Sequence, residues 1–138
     1  MEANIKWIDG VNFSASTESG NTILMDGPVE NGGNNNGSRP TELLISGMGG
    51  CTAFDIICMA KTKKLKIKNF NLKINAHRTN SKPSLINKIH CTYIINSDEK
   101  NKDDLEKIIQ SSLNKHCSCC IVLGKAIDIS YSLELISS

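Results

Sequence analysis

Aromatic residues are scarce in this 138-residue chain, at 4%. One Trp, two Tyr and three Phe cannot fill an interior, so aliphatic side chains must build the core. Charge of one sign is lacking too: 16 Lys and Arg against 14 Asp and Glu leave a net charge of +2. The Lys residues are dispersed, not clustered as a phosphate backbone requires, which argues against nucleic acid or an anionic membrane as partner. The opening MEANIKWIDG has no basic start followed by an apolar run, so no export signal is expected. The longest apolar stretch, around residues 56–60, falls short of the roughly 18 residues of a membrane helix. A cytoplasmic, reducing setting follows as an expectation. Its six cysteines then read as core filler, metal ligands or redox thiols, not as a disulfide framework.

No internal repeat or long linker interrupts the chain, so a single domain over residues 1–138 is expected. Strands are predicted at residues 4–8, 11–16 and 22–25, divided by Asp9-Gly10 and Ser19-Gly20-Asn21, which are hairpin signals. Residues 28–39 are rich in Gly and Asn with little to bury, and predict a mobile loop. Pro40 suits a first helical turn, and the helix should run to about Lys64. Glu42 at its start and Lys61, Lys63 and Lys64 at its end complement the helix dipole. Its middle, LLISGMGGCTAFDIICMA, is apolar or small on nearly every face. Such a helix must be buried all round, which one small sheet cannot achieve; a second subunit is the expected cover.

Residues 67–79 alternate, with Phe70, Leu72, Ile74 and Ala76 on one side, as in a half-buried strand. Ile89, Cys91, Tyr93 and Ile95 continue in a partner strand. Residues 102–115 form an amphipathic helix with Leu105, Ile108, Ile109 and Leu113 on one stripe. Alternation returns at Ile127, Ile129, Tyr131, Leu133 and Leu135. Strand runs around isolated helices predict an α+β protein with antiparallel strands around a central buried helix, not a βαβ repeat.

Two places carry chemistry. Cys51 stands mid-helix after Gly49-Gly50, with Gly47 one turn earlier. Each helical glycine costs roughly 1 kcal/mol relative to alanine. Either another element packs closely there, or a small cavity leaves the sulfur reachable. A buried cysteine by itself is ordinarily inert filler. The second place is His116-Cys117-Ser118-Cys119-Cys120, where a thiol near a helix start and an imidazole gains thiolate character. Cys117 and Cys120 form a CxxC. Zinc held by two of these cysteines with His90, Cys91 or His116 is an alternative, although no second CxxC or paired His completes it. A thioredoxin-like pair lacks the expected βαβ context. Cys58 and Cys91 read as core, and His77 as solvated. Asp55 is either a solvent-edge residue or part of a polar network at the Cys51 sulfur.

The segments RPTELLISGMGGCTAFDIICMAKTKK and KHCSCCIVLGKAIDISYSLEL together resemble the OsmC/Ohr superfamily of osmotically induced and organic-hydroperoxide-resistance proteins. The first resembles its central helix and the second its second-cysteine segment and last strand. The resemblance implies an intertwined homodimer with both central helices buried between subunits. It also implies a peroxidase in which Cys51 is the peroxidatic thiolate, Cys117 resolves it to a disulfide, and a dithiol reductant restores both, with no cofactor or metal. Apolar walls would favour organic peroxides. Active members hold the thiolate with an Arg from the N-terminal strand region and a partner Glu. Here Arg39 is the first arginine, and Glu42 lies nine positions before Cys51, so these two residues are the candidates for those roles. The Glu spacing resembles the OsmC-like branch, because the organic-peroxide branch has it ten positions before, at Thr41 here. If the protein is not catalytic, the same dimer would bind a small hydrophobic ligand.

Overall fold

Gly10 and Gly20 take positive φ values of 51° and 85°, which glycine adopts without a Cβ penalty. They turn the chain into an antiparallel meander of β1 (Ala3–Asp9), β2 (Asn12–Thr17) and β3 (Thr22–Met25). Both hairpin signals thus act as expected. The computed structural model describes residues 1–137 and divides into two compact units, Met1–Leu44 and a second beginning at Ile45. The boundary falls inside a continuous helix, α1 (Pro40–Thr62), with no linker to mark it.

In the first unit, residues 28–39 are organised around Asp26. Its buried carboxylate accepts the N–H groups of Gly27, Asn34 and Asn36 at 2.7, 3.1 and 3.0 Å. A 3-10 turn, Val29–Asn31, and a bridge between Met25 and Ser38 complete the segment. Asp26 lies just ahead of the segment expected to be a mobile loop, and was not weighed in that expectation. Asn36 foremost, then the other two N–H groups and the Arg39 charge, hold the Asp26 carboxyl below the ordinary carboxylate range against the cost of burial.

The second unit is built on β4 (Ile67–Arg78), β5 (Ile86–Ser97) and β6 (Asp128–Ile136), in that order. β4 and β5 are antiparallel, but β5 and β6 run parallel, with Cys91 opposite Tyr131. An all-antiparallel sheet without a βαβ unit was expected. Instead the chain crosses from β5 to β6 through α2 (Lys102–Ser111), a π-helical turn (Ser112–His116) and α3 (Ser118–Leu123). The inward alternation of β5 buries Ile89, Cys91, Tyr93 and Ile95, against which Leu105, Ile108 and Ile109 pack.

From Ile45 on, α1 buries only Met48, Gly49, Thr52, Ile56 and Ala60, at the spacing of one helical face. Phe54 is 69% exposed, and Ile57 and Cys58 are exposed as well. Within one chain the helix is therefore covered on a single stripe, and Cys58 is not core. By length and composition α1 is also long and apolar enough to cross a bilayer, a test that core helices pass as well. Its Gly, Ser and Thr interrupt the apolar run without adding charge, which is why run length alone missed this.

Candidate active site

The site lies in the second unit, where α1 meets the start of α3. The π turn delivers the second cysteine: the Cys117 N–H donates to the Ser112 carbonyl five residues back, at 2.8 Å. Cys117 then leaves helical geometry (φ −74°, ψ 104°) and caps α3, its sulfur accepting the Cys120 N–H at 3.4 Å. This brings three consecutive residues onto Cys51. The Cys119 backbone N–H and the side chains of Cys117, Cys119 and Ser118 act on the Cys51 thiol. Together, with the Cys119 N–H first, they lower the Cys51 pKa despite some burial.

The neighbouring thiols shift the other way. Cys117 is fully buried; burial first, and its bond to Cys51 next, raise its pKa. Cys119 is raised by its burial and then by Cys51. Burial first, and then the Cys117 side chain, push Cys120 up strongly. Cys91 is pushed up to about 11, again mainly by burial. One sulfur of the cluster is thus set to carry negative charge, and the others to keep their protons.

A buried polar chain stands beside them. Thr52 Oγ1 lies 2.9 Å from the Tyr93 hydroxyl and 2.8 Å from that of Ser112, and Ser112 donates to Asp55 Oδ2 at 3.2 Å. Asp55 is half-buried and its bond goes to Ser112. Thr52 and Ser112 were missed in the sequence, although each left a signal. Thr52 follows Met48 by four, and Ser112 follows Ile108 and Ile109, so both are hydroxyls on stripes that otherwise bury apolar residues.

The three glycines divide their roles. A Cβ on Gly49 would meet Ile74 Cδ1 at 2.5 Å, so close packing on β4 explains it. Gly47 and Gly50 face open space within the chain. Gly50 borders an open groove of about 450 Å³ with Ile45, Ser46, Ala53, Phe70 and Leu72. The groove is lined by the neighbours of Cys51, not by Cys51 itself.

Arg39 and Glu42 lie in the first unit. The Arg39 guanidinium donates to Asn35 Oδ1, Gly37 O and Asp26 O at 3.0, 3.3 and 3.4 Å. Glu42 Oε2 accepts the Arg39 N–H at 2.8 Å, one half of a capping box at the start of α1. His90 bonds Ser130 and Ser132 on β6, and His77 is exposed and bonded to Asn87. Among the described residues no three His, Cys, Asp or Glu converge on a point fit for a metal ion.

Residues 32–132 match the OsmC-like protein family. Protein YhfA of Escherichia coli K12 is 28% identical over the full length of both chains. A hypothetical protein of Aquifex aeolicus VF5 has the same fold at a TM-score of 0.84 and 22% identity, over 99% of this chain and 96% of its own. An organic hydroperoxide resistance protein OsmC from Legionella pneumophila has a TM-score of 0.69 at 17% identity, over 97% of each chain. At such identities these two structures speak for the fold alone. The family match spans α1, the thiol cluster, β4, β5 and the first half of β6, and the chain belongs to the OsmC-like protein family.

Proposed function

We propose that this protein is a thiol peroxidase that reduces organic hydroperoxides through Cys51 and Cys117. The observation that carries the reading is the pair of 2.8 Å bonds, Thr52 to Ser112 and Cys117 N–H to the Ser112 carbonyl, that bring the Cys51 and Cys117 segments together, with the Cys51 pKa lowered and the Cys117 pKa raised there. Cys51 thiolate attacks the peroxide O–O bond, takes one oxygen as sulfenic acid and releases the alcohol after protonation. Cys117 sulfur then attacks Cys51 sulfur, and the departing oxygen takes the Cys117 proton as water, leaving a disulfide. A dithiol reductant restores both thiols and leaves as its own disulfide. The apolar walls of the groove beside Gly50 favour an alkyl peroxide over hydrogen peroxide.

In this reading the working unit is a cytoplasmic homodimer, the second copy covering the exposed face of α1 around Phe54 and Ile57. Arg39 and Glu42 act on Cys51 indirectly, by closing the first turn of the helix that carries it. The test is to treat reduced protein with cumene hydroperoxide and count thiols. Two thiols lost per chain, and none in Cys51→Ser, is the expected result; six surviving thiols overturn the peroxidase. The groove itself favours a second reading, a dimer that binds a small hydrophobic molecule without chemistry. Saturable binding of an apolar ligand with all six thiols intact would select it.

A further inference from the structure

Cys120, the second cysteine of the Cys117–Cys120 CxxC, has no task in the reaction just described. The CxxC lacked a βαβ context in the sequence, yet it stands in the crossover between the parallel strands β5 and β6. Cys117 sulfur accepts the Cys120 N–H at 3.4 Å, and the thiols of both Cys51 and Cys120 shift its pKa. Cys120 is 2% exposed and borders a second cavity, of about 370 Å³, with Leu113, Asn114, Gly124, Ile127 and Tyr131. Cys51 is not among its walls.

We infer that Cys120 is a third redox thiol, which displaces Cys51 from the Cys51–Cys117 disulfide and leaves the oxidised pair at Cys117–Cys120. The inference rests on the peroxidase reading above. In the step, Cys120 sulfur bonds Cys117 sulfur as the Cys51–Cys117 bond breaks. The bonding pair leaves on Cys51, and the Cys120 proton passes to water. One disulfide replaces another, so nothing is oxidised or reduced overall. A dithiol reductant then opens the new pair, becoming a disulfide itself.

Direction follows from the two sulfurs. Cys51 thiolate is stabilised by the Cys119 N–H, which makes Cys51 the better leaving group. Cys120 is buried and its sulfur more basic, hence the better nucleophile once deprotonated. A disulfide between the less acidic thiols, with the stabilised thiolate set free, is the favoured partition. The exchange returns Cys51 to its working state and moves the oxidised bond to the cavity that Cys120 borders.

The test uses the full chain, oxidised in one arm with diamide, which needs no peroxidase activity, and in the other with cumene hydroperoxide. Free thiols are alkylated and tryptic peptides mapped. Cleavage after Lys115 and Lys125 places Cys117, Cys119 and Cys120 on one peptide, away from Cys51. In the diamide arm, the expected product is a disulfide within that peptide, with Cys51 and Cys119 alkylated. Cys120→Ser should instead trap a cross-link between the Cys51 and Cys117 peptides. Cys51→Ser should still close Cys117 on Cys120, which decides the matter if Cys120→Ser does not fold. A wild-type end product joining Cys51 to Cys117 or to Cys119, with Cys120 alkylated, overturns the inference. Intact thiols in the peroxide arm alone overturn the peroxidase reading and leave the diamide result to judge Cys120.

Discussion

The hydroxyls of Thr52 and Ser112 stand 2.8 Å apart, and this one bond ties the two cysteine-bearing segments together. Thr52 follows Cys51 directly, while the Ser112 carbonyl holds the Cys117 N–H, also at 2.8 Å. Ser112 therefore acts on the distance between the sulfurs without touching either. Ser112→Ala removes the acceptor of the buried Thr52 hydroxyl and the donor to the half-buried Asp55, and should cost about 1–3 kcal/mol, read by urea unfolding. It should also slow closure of the Cys51–Cys117 disulfide more than formation of the Cys51 sulfenic acid. Equal slowing of both steps would reduce its part to general stability.

Cys51 should react as a more acidic thiol than a free cysteine. The pH profile of its alkylation by iodoacetamide is expected to have its midpoint below the ordinary value of about 8.5. Cys117→Ala removes one donor to the thiolate and should move that midpoint up. A midpoint at or above the free value would contradict the arrangement around Cys51.

The glycines offer a paired test. Gly50→Ala adds a Cβ in open space and should stabilise α1 by up to about 1 kcal/mol through helix propensity. Gly49→Ala forces the Ile74 Cδ1 methyl aside and should be the less stable of the two by thermal melting. A bulky Gly50→Leu should raise KM for cumene hydroperoxide more than for hydrogen peroxide, since it fills the groove. An equal fold-change in KM for both substrates would place the peroxide elsewhere.

Asp26 sets an acid limit on the first unit. Its carboxyl titrates below the unfolded value of about 3.9, so its contribution is fully present above that pH. It is lost as pH falls through the lower folded value. Asp26→Asn should flatten this acid limb in a series of unfolding curves at pH 2 to 6, and an unchanged limb would assign acid sensitivity to another group.

The exposed face of α1 predicts assembly. Phe54→Glu places a charge where a second copy would sit, and sedimentation should shift from dimer to monomer. A wild-type protein that sediments as a monomer at micromolar concentration would refute the dimer itself.

The sequence made most elements readable because their signals are local. Asp9-Gly10 turned the first hairpin, Pro40 opened α1, and alternation of Ile89, Cys91, Tyr93 and Ile95 marked the buried strand. The direction of β6 was not local: it depends on the crossover, and alternation is the same for a strand running either way. Cys58 looked like core because its neighbours are apolar, but burial follows the face of α1 and not its composition. At the site, Cys51 and Cys117 were visible as residues with chemistry. The Cys119 N–H and the Ser112 carbonyl are backbone groups with no letter of their own, so no reading of side chains finds them.

The π turn at Ser112–His116 adds one residue to the helical path just ahead of Cys117. In an α-helix each residue advances the chain about 1.5 Å and rotates it about 100°. Deleting one residue here would swing all of α3 around its axis and turn Cys117 away from Cys51, with every side chain of the site still present. The phase of this helix, as much as the identity of its cysteines, is what a functional variant of this protein has to keep.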